Sequence, residues 1–208
     1  MSPVTATGIL LILSTLIYHG GLAYLFTRSE FGDVLKASQK DKLVIIARHP
    51  GEYRRGCDLV LLGWIVAAVG YVMLAILLRD AGDTVASTLS AVLFLIAIVL
   101  ACVFWALHVP LTLLAAEETA RTSVEPAYYE PLRVAADASL RIYLVLGLVA
   151  TAGFGWALLQ TGLIPAWVAW ATVGWGVAWA GVSLVTSEGI PLLPMVTPIA
   201  IGLCLLVR

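Results

Sequence analysis

The chain has 208 residues, of which 61% are apolar and 12% are Asp, Glu, Lys or Arg, and its mean hydropathy is +0.99. A soluble domain carries about 25% charged residues, so this share cannot clothe a 22.1 kDa particle in water, and lipid must be the solvent. A formal net charge of −1 excludes a nucleic-acid binder, which needs a basic surface.

Crossing about 30 Å of hydrocarbon takes a helix of about 20 apolar residues. Six runs answer to this: Val4 to Thr27, Asp58 to Leu78, Ala86 to Ala116, Leu140 to Leu159, Pro165 to Thr186 and Ile190 to Val207. The expected fold is all-α: one transmembrane domain over 1–208, a polytopic integral membrane bundle of six transmembrane helices. The first run has no preceding Lys or Arg and is longer than the h-region of a signal peptide, so it is expected to stay as the first helix.

After the first run comes a polar connection, Arg28 to Cys57, in which Phe31, Val34, Leu35, Ile45 and Ile46 recur near helical spacing. This spacing predicts an interfacial amphipathic helix. The second and third runs form a hairpin, and a second long connection, Glu117 to Ser139, leads to the fourth. The last three runs are expected to form a tight unit. Gln160-Thr-Gly-Leu-Ile-Pro165 supplies a glycine helix stop and a proline start, and Ser187-Glu-Gly-Ile-Pro191 repeats the pattern.

Ten of the twelve Lys and Arg lie in or beside the two long connections, and only Arg79 and Arg208 lie opposite. The positive-inside rule therefore predicts cytoplasmic long connections and both termini outside. Small residues mark packing faces in lipid. Gly63, Ala67 and Gly70 line the second run, Gly147, Thr151 and Gly155 the fourth, and Ala171, Gly174, Ala178 and Gly181 the fifth. Trp156, Trp167 and Trp170 belong to an interfacial aromatic belt.

Titratable groups within hydrocarbon are costly and mark function by default. Here they reduce to His19 and His108. Each precedes the end of its run by eight residues, about 12 Å along a helix, and the two helices run the same way, so the imidazoles share a depth. One axial nitrogen from each would suit a b-type haem; the alternative is local hydrogen bonding, with Thr15 and Tyr18 beside His19 and Pro110 beside His108. Tyr18, Trp105, Trp175 and Trp179 are candidates to line a hydrophobic ligand cavity. Asp58, Glu117, Glu118, Asp137 and Arg141 gather at helix mouths near Tyr128, Tyr129 and Tyr143, either as a polar vestibule or as solvated helix ends. Cys57, Cys102 and Cys204 stand singly, with no metal-ligand spacing. No catalytic residue set is legible, which points away from an enzyme.

Arg54-Arg-Gly-Cys-Asp58-Leu-Val-Leu-Leu-Gly63, Thr161-Gly-Leu-Ile-Pro-Ala-Trp167, the glycine-containing first helix and the proline-containing sixth carry a resemblance. Over most of its length the chain resembles a bacterial family of six-helix membrane proteins defined only as a domain of unknown function. The resemblance implies a bacterial inner-membrane location and no particular activity. By elimination the residues point to a non-enzymatic helical bundle in the lipid bilayer. Such a protein would be an accessory subunit beside other membrane subunits, a homo-oligomer, or a binder of a lipid-like ligand. The alternatives are a cytochrome or quinone-linked electron-transfer subunit using His19 and His108, and a small-molecule transporter flexing at Pro110 and at Pro194 or Pro198.

Overall fold

The computed structural model describes residues 1–27, 37–83, 85–185 and 196–207 of the protein. Seven helices account for nearly all of them: α1 (Pro3–Thr27), α2 (Gln39–Arg48), α3 (Pro50–Asp80), α4 (Ala86–Thr122), α5 (Tyr129–Thr161), α6 (Ala166–Val185) and α7 (Val196–Val207). Five of these, α1, α3, α4, α5 and α6, are long and apolar enough to cross a membrane. The chain is a polytopic helical membrane protein.

The helices outrun the apolar stretches. α4 has 37 residues and α5 has 33, about 55 and 50 Å long, against about 30 Å of hydrocarbon. Hydropathy marks where lipid is the solvent, whereas a helix continues until something caps it. α4 runs on to Ser123, in the left-handed region at φ 58°, and α5 stops at Gly162, φ 61°, the stop expected from Gly162 and Pro165. Likewise α3 begins at Pro50, two turns before the second apolar run, because proline suits the first helical position. The second stop, Ser187 to Pro191, lies outside the described residues, as do residues 190–195 of the sixth run.

α1 and α3 pack antiparallel with a strict seven-residue register. Gly56, Gly63 and Gly70 face Leu25, Tyr18 and Leu11 in turn, so close that a Cβ on Gly63 would lie 2.7 Å from Tyr18 Cβ and 2.8 Å from its Cα. Each glycine is a hole for one knob, as in coiled-coil packing. Between α5 and α6 the same device uses Gly155, against the Val173 backbone nitrogen, and Gly176, against the Leu148 carbonyl and Ala152 nitrogen.

Two packing expectations need correction. The small-residue stripe of Ala171, Gly174, Ala178 and Gly181 does not meet α5; all four are exposed, and the packed face is that of Ala169, Thr172, Gly176, Ala180 and Ser183. Small residues are so frequent on α6 that two faces carry the same spacing. Nor does α7 join α5 and α6 in a tight unit. It lies chiefly on α1, where Gly8 and Gly202 bring the two backbones together.

Within the first long connection, α2 carries Ile45 and Ile46 of the expected amphipathic helix, and its apolar face is turned to protein: Leu43 and Ile46 are buried with Ala115, Ala116 and Tyr129 of α4 and α5. Phe31, Val34 and Leu35 lie outside the described residues. At the opposite end of the bundle, Asp83 is buried and accepts the Ser87 N–H in the first turn of α4 at 2.7 Å. With its amide oriented to satisfy both neighbours, Gln160 donates to Asp83 Oδ1 at 3.1 Å and accepts from Trp156 Nε1 at 3.0 Å. This ties the α3–α4 turn to α5.

Candidate functional site

Where α4 passes from apolar to polar sequence it carries Phe104, Trp105, His108 and Thr112 over two turns, and α5 faces it with Tyr129, Arg133 and Ala136. Between the two helices lies a cavity of about 120 Å³. Its walls are mostly apolar, among them Val103, Phe104, Leu107, Leu111 and Leu132; its polar lining includes His108, Thr112, Tyr129 and Arg133. Leu107 and Val103 are more than half exposed at its outer edge, so the cavity opens sideways toward the lipid face.

Each polar group is held in place. His108 Nε2 lies 3.3 Å from the Tyr53 hydroxyl, the ring stacks on Phe104 at 4.9 Å between centroids and 14° between planes, and Trp105 meets it edge-on at 6.0 Å. The Tyr129 and Thr112 hydroxyls are 3.3 Å apart. Arg133 is forked onto Glu130, with Nε and Nη2 donating to the two carboxylate oxygens at 2.9 and 2.7 Å, while Nη1 donates to Asp137 at 3.0 Å. One cation is thus shared between two carboxylates of its own helix. The backing comes from α2 and the first turn of α3: Tyr129 is buried against Leu43 and Ile46, and Tyr53 packs on the same cluster.

His19 and His108 stand at the two ends of a row of aromatic rings. Among the described residues, no hydrogen bond or ring contact joins them; instead, successive ring contacts run from His19 to Tyr18 (5.4 Å), Trp64 (5.9 Å), Tyr143 (5.5 Å), Phe104 (6.0 Å) and His108 (4.9 Å). Trp64, Tyr18 and Tyr143 are fully buried, and this row of rings is the centre of the core. His19 Nδ1 is hydrogen-bonded to the Thr15 carbonyl of its own helix at 2.9 Å. Of the four residues expected to line a ligand cavity, Trp105 stands beside His108 and Tyr18 is in the buried row. Trp175 and Trp179 contact each other at 5.7 Å on α6. The walls of the α4–α5 cavity come from other residues. Among the described residues no cluster of His, Cys, Asp and Glu is placed to hold a metal ion.

Tyr53 and Thr112 carry no signal of their own in the sequence. Tyr53 falls in what reads as a connection; only Pro50, as a helix start, hints that it lies on a helix one turn from Cys57.

A family model covers this architecture from the first helix to the last, matching residues 6–207. The chain belongs to the DUF4386 family. That family is described as a domain of unknown function, so membership transfers no activity. No curated protein and no solved structure matches the chain.

Proposed function

We propose that this DUF4386 protein is a non-enzymatic membrane bundle that binds a lipid-like ligand between α4 and α5. The observation that carries the reading is the cavity itself: apolar walls, a few fixed polar groups at one end and exposed Leu107 and Val103 at its edge suit part of an amphiphile, since about 120 Å³ is less than the about 300–1,000 Å³ that encloses a whole small molecule. It lies where the apolar part of α4 faces the charged first turns of α5, the depth at which an amphiphile changes from tail to head group. In this reading α7 belongs to a sixth crossing, the long connections face the cytoplasm of a bacterial cell, and α2 lies on that side as the floor of the site. The buried row of rings between His19 and His108 favours a packing role for His19 over a shared ligand.

The test is lipid extraction from purified protein followed by mass spectrometry. Wild type is expected to retain a defined amphiphile that Ala136→Phe, which fills the cavity, does not. Equal retention by both refutes the reading. Topology is checked separately by cysteine accessibility: a cysteine at Lys40 labelled from outside intact cells reverses the orientation.

A further inference from the structure

Apart from the α4–α5 cavity, α1 and α3 leave an open groove of about 510 Å³ between Tyr24 on one side and Arg55, Asp58, Leu59 and Leu62 on the other. Its character changes along α3. Arg55 and Asp58 are exposed, and farther into the apolar run Leu59 and Leu62 are exposed too, at 37% and 46%. Asp58 is the first residue of that run, so the two charges stand where hydrocarbon gives way to water, and the leucines beyond them turn toward lipid.

The charges are opposite and three residues apart on one helix, about 5–6 Å between Cβ atoms. Among the described residues, however, neither forms an ion pair or a hydrogen bond. Their order gives the reason they do not close on each other: a cation N-terminal to an anion is the weaker orientation on a helix. Arg55 can lift its guanidinium toward water on a long stem. Asp58 cannot, and an unpaired carboxylate at the edge of the hydrocarbon is costly. A partner that suits the whole groove is anionic at Arg55, cationic at Asp58 and apolar along Leu59 and Leu62.

We propose that the α1–α3 groove binds phosphatidylethanolamine, its phosphate on Arg55, its ammonium on Asp58 and an acyl chain along Leu59 and Leu62. The guanidinium fork matches a phosphate. In this head group two carbons separate the phosphate ester from the ammonium, a span that fits one helical turn. Related lipids each miss a contact. Phosphatidylglycerol offers Asp58 no cation, and the trimethylammonium of phosphatidylcholine has no N–H to donate to a carboxylate. The groove shares no lining residue with the α4–α5 cavity, so this inference goes beyond the reading above and does not depend on it.

The experiment is native mass spectrometry of the full chain in detergent, titrated separately with dioleoyl phosphatidylethanolamine, phosphatidylcholine and phosphatidylglycerol. Wild type is expected to hold phosphatidylethanolamine with an apparent Kd several-fold below those of the other two. Asp58→Asn keeps the shape without the charge and should bring phosphatidylethanolamine to the level of phosphatidylcholine. Arg55→Gln should weaken all three lipids, since all carry the phosphate, and Arg55→Lys should restore much of the binding. Both side chains are exposed, and circular dichroism checks that the variants fold as wild type does. Ala136→Phe is expected to leave phosphatidylethanolamine binding unchanged. Equal binding of the three lipids by wild type, a preference for phosphatidylglycerol, or a phosphatidylethanolamine preference that survives both Asp58→Asn and Arg55→Gln overturns the proposal. If Ala136→Phe abolishes the binding and both α3 variants keep it, this proposal fails and the α4–α5 reading stands.

Discussion

Adding one methyl group at Gly63 tests the packing of α1 on α3 at its tightest point. In Gly63→Ala the new carbon would lie 2.7 Å from Tyr18 Cβ and 2.8 Å from Tyr18 Cα and N, where carbon atoms ordinarily rest about 3.5–4.0 Å apart. Two of those three atoms are backbone, so no rotamer change relieves the overlap. The helices must part by about 1 Å, and a gap of that size forfeits a quarter to a half of each contact it opens. The expected cost is that of overpacking, about 1–3 kcal/mol.

The control is Gly174→Ala, where nothing lies within 4 Å of the added carbon. Both variants gain the same helix propensity, about 0.5–1 kcal/mol, which cancels in the comparison. Titration with SDS from dodecyl maltoside micelles, followed by circular dichroism, should place Gly63→Ala about 1–3 kcal/mol below Gly174→Ala. If the two are equally stable, the seven-residue seam of glycines and knobs does not hold α1 to α3.

Three further outcomes follow from other contacts. Gly176→Ala, whose methyl would meet the Leu148 carbonyl at 2.6 Å, should destabilise the α5–α6 pair in the same assay, while Gly181→Ala, with open space beside it, should not. Asp83→Ala removes the acceptor of the Ser87 N–H in the first turn of α4 and a partner of Gln160 and should lower stability by about 1–3 kcal/mol; wild-type stability would show that Asp83 does not hold this turn. Tyr53→Phe deletes the hydroxyl beside His108 Nε2 and should cost about 0.5–1.5 kcal/mol. A double-mutant cycle with His108→Phe should show the two losses coupled, and strict additivity would deny the bond.

The faces of α6 show where reading along the chain stops. Ala171, Gly174, Ala178 and Gly181 have the spacing of a packing stripe and are exposed; Ala169, Thr172, Gly176, Ala180 and Ser183 have it too and are packed. In water the apolar face of a helix announces its partner, but in lipid both faces are apolar and only the approach of another backbone distinguishes them. On α3 the stripe of Gly63, Ala67 and Gly70 is the buried face, so that face was legible. His108 was legible because a titratable group in an apolar run stands out. Its partners were not: Tyr53 lies 55 positions away in sequence, and Thr112 and Tyr129 are ordinary residues until α4 and α5 set them side by side.

Composition and hydropathy alone determined that the chain is an all-α membrane protein, because a chain with 12% charge has no other solvent and the backbone in lipid must satisfy itself within each helix. The glycine–proline pair after the fourth run also set the stop at Gly162, which depends on local geometry. Tertiary structure decided everything that depends on which helices meet: α7 on α1, Gly176 rather than Gly174 at the α5 seam, the row of rings between His19 and His108, and the cavity beside His108. Those choices rest on shape complementarity between segments far apart in the chain, which no local periodicity encodes.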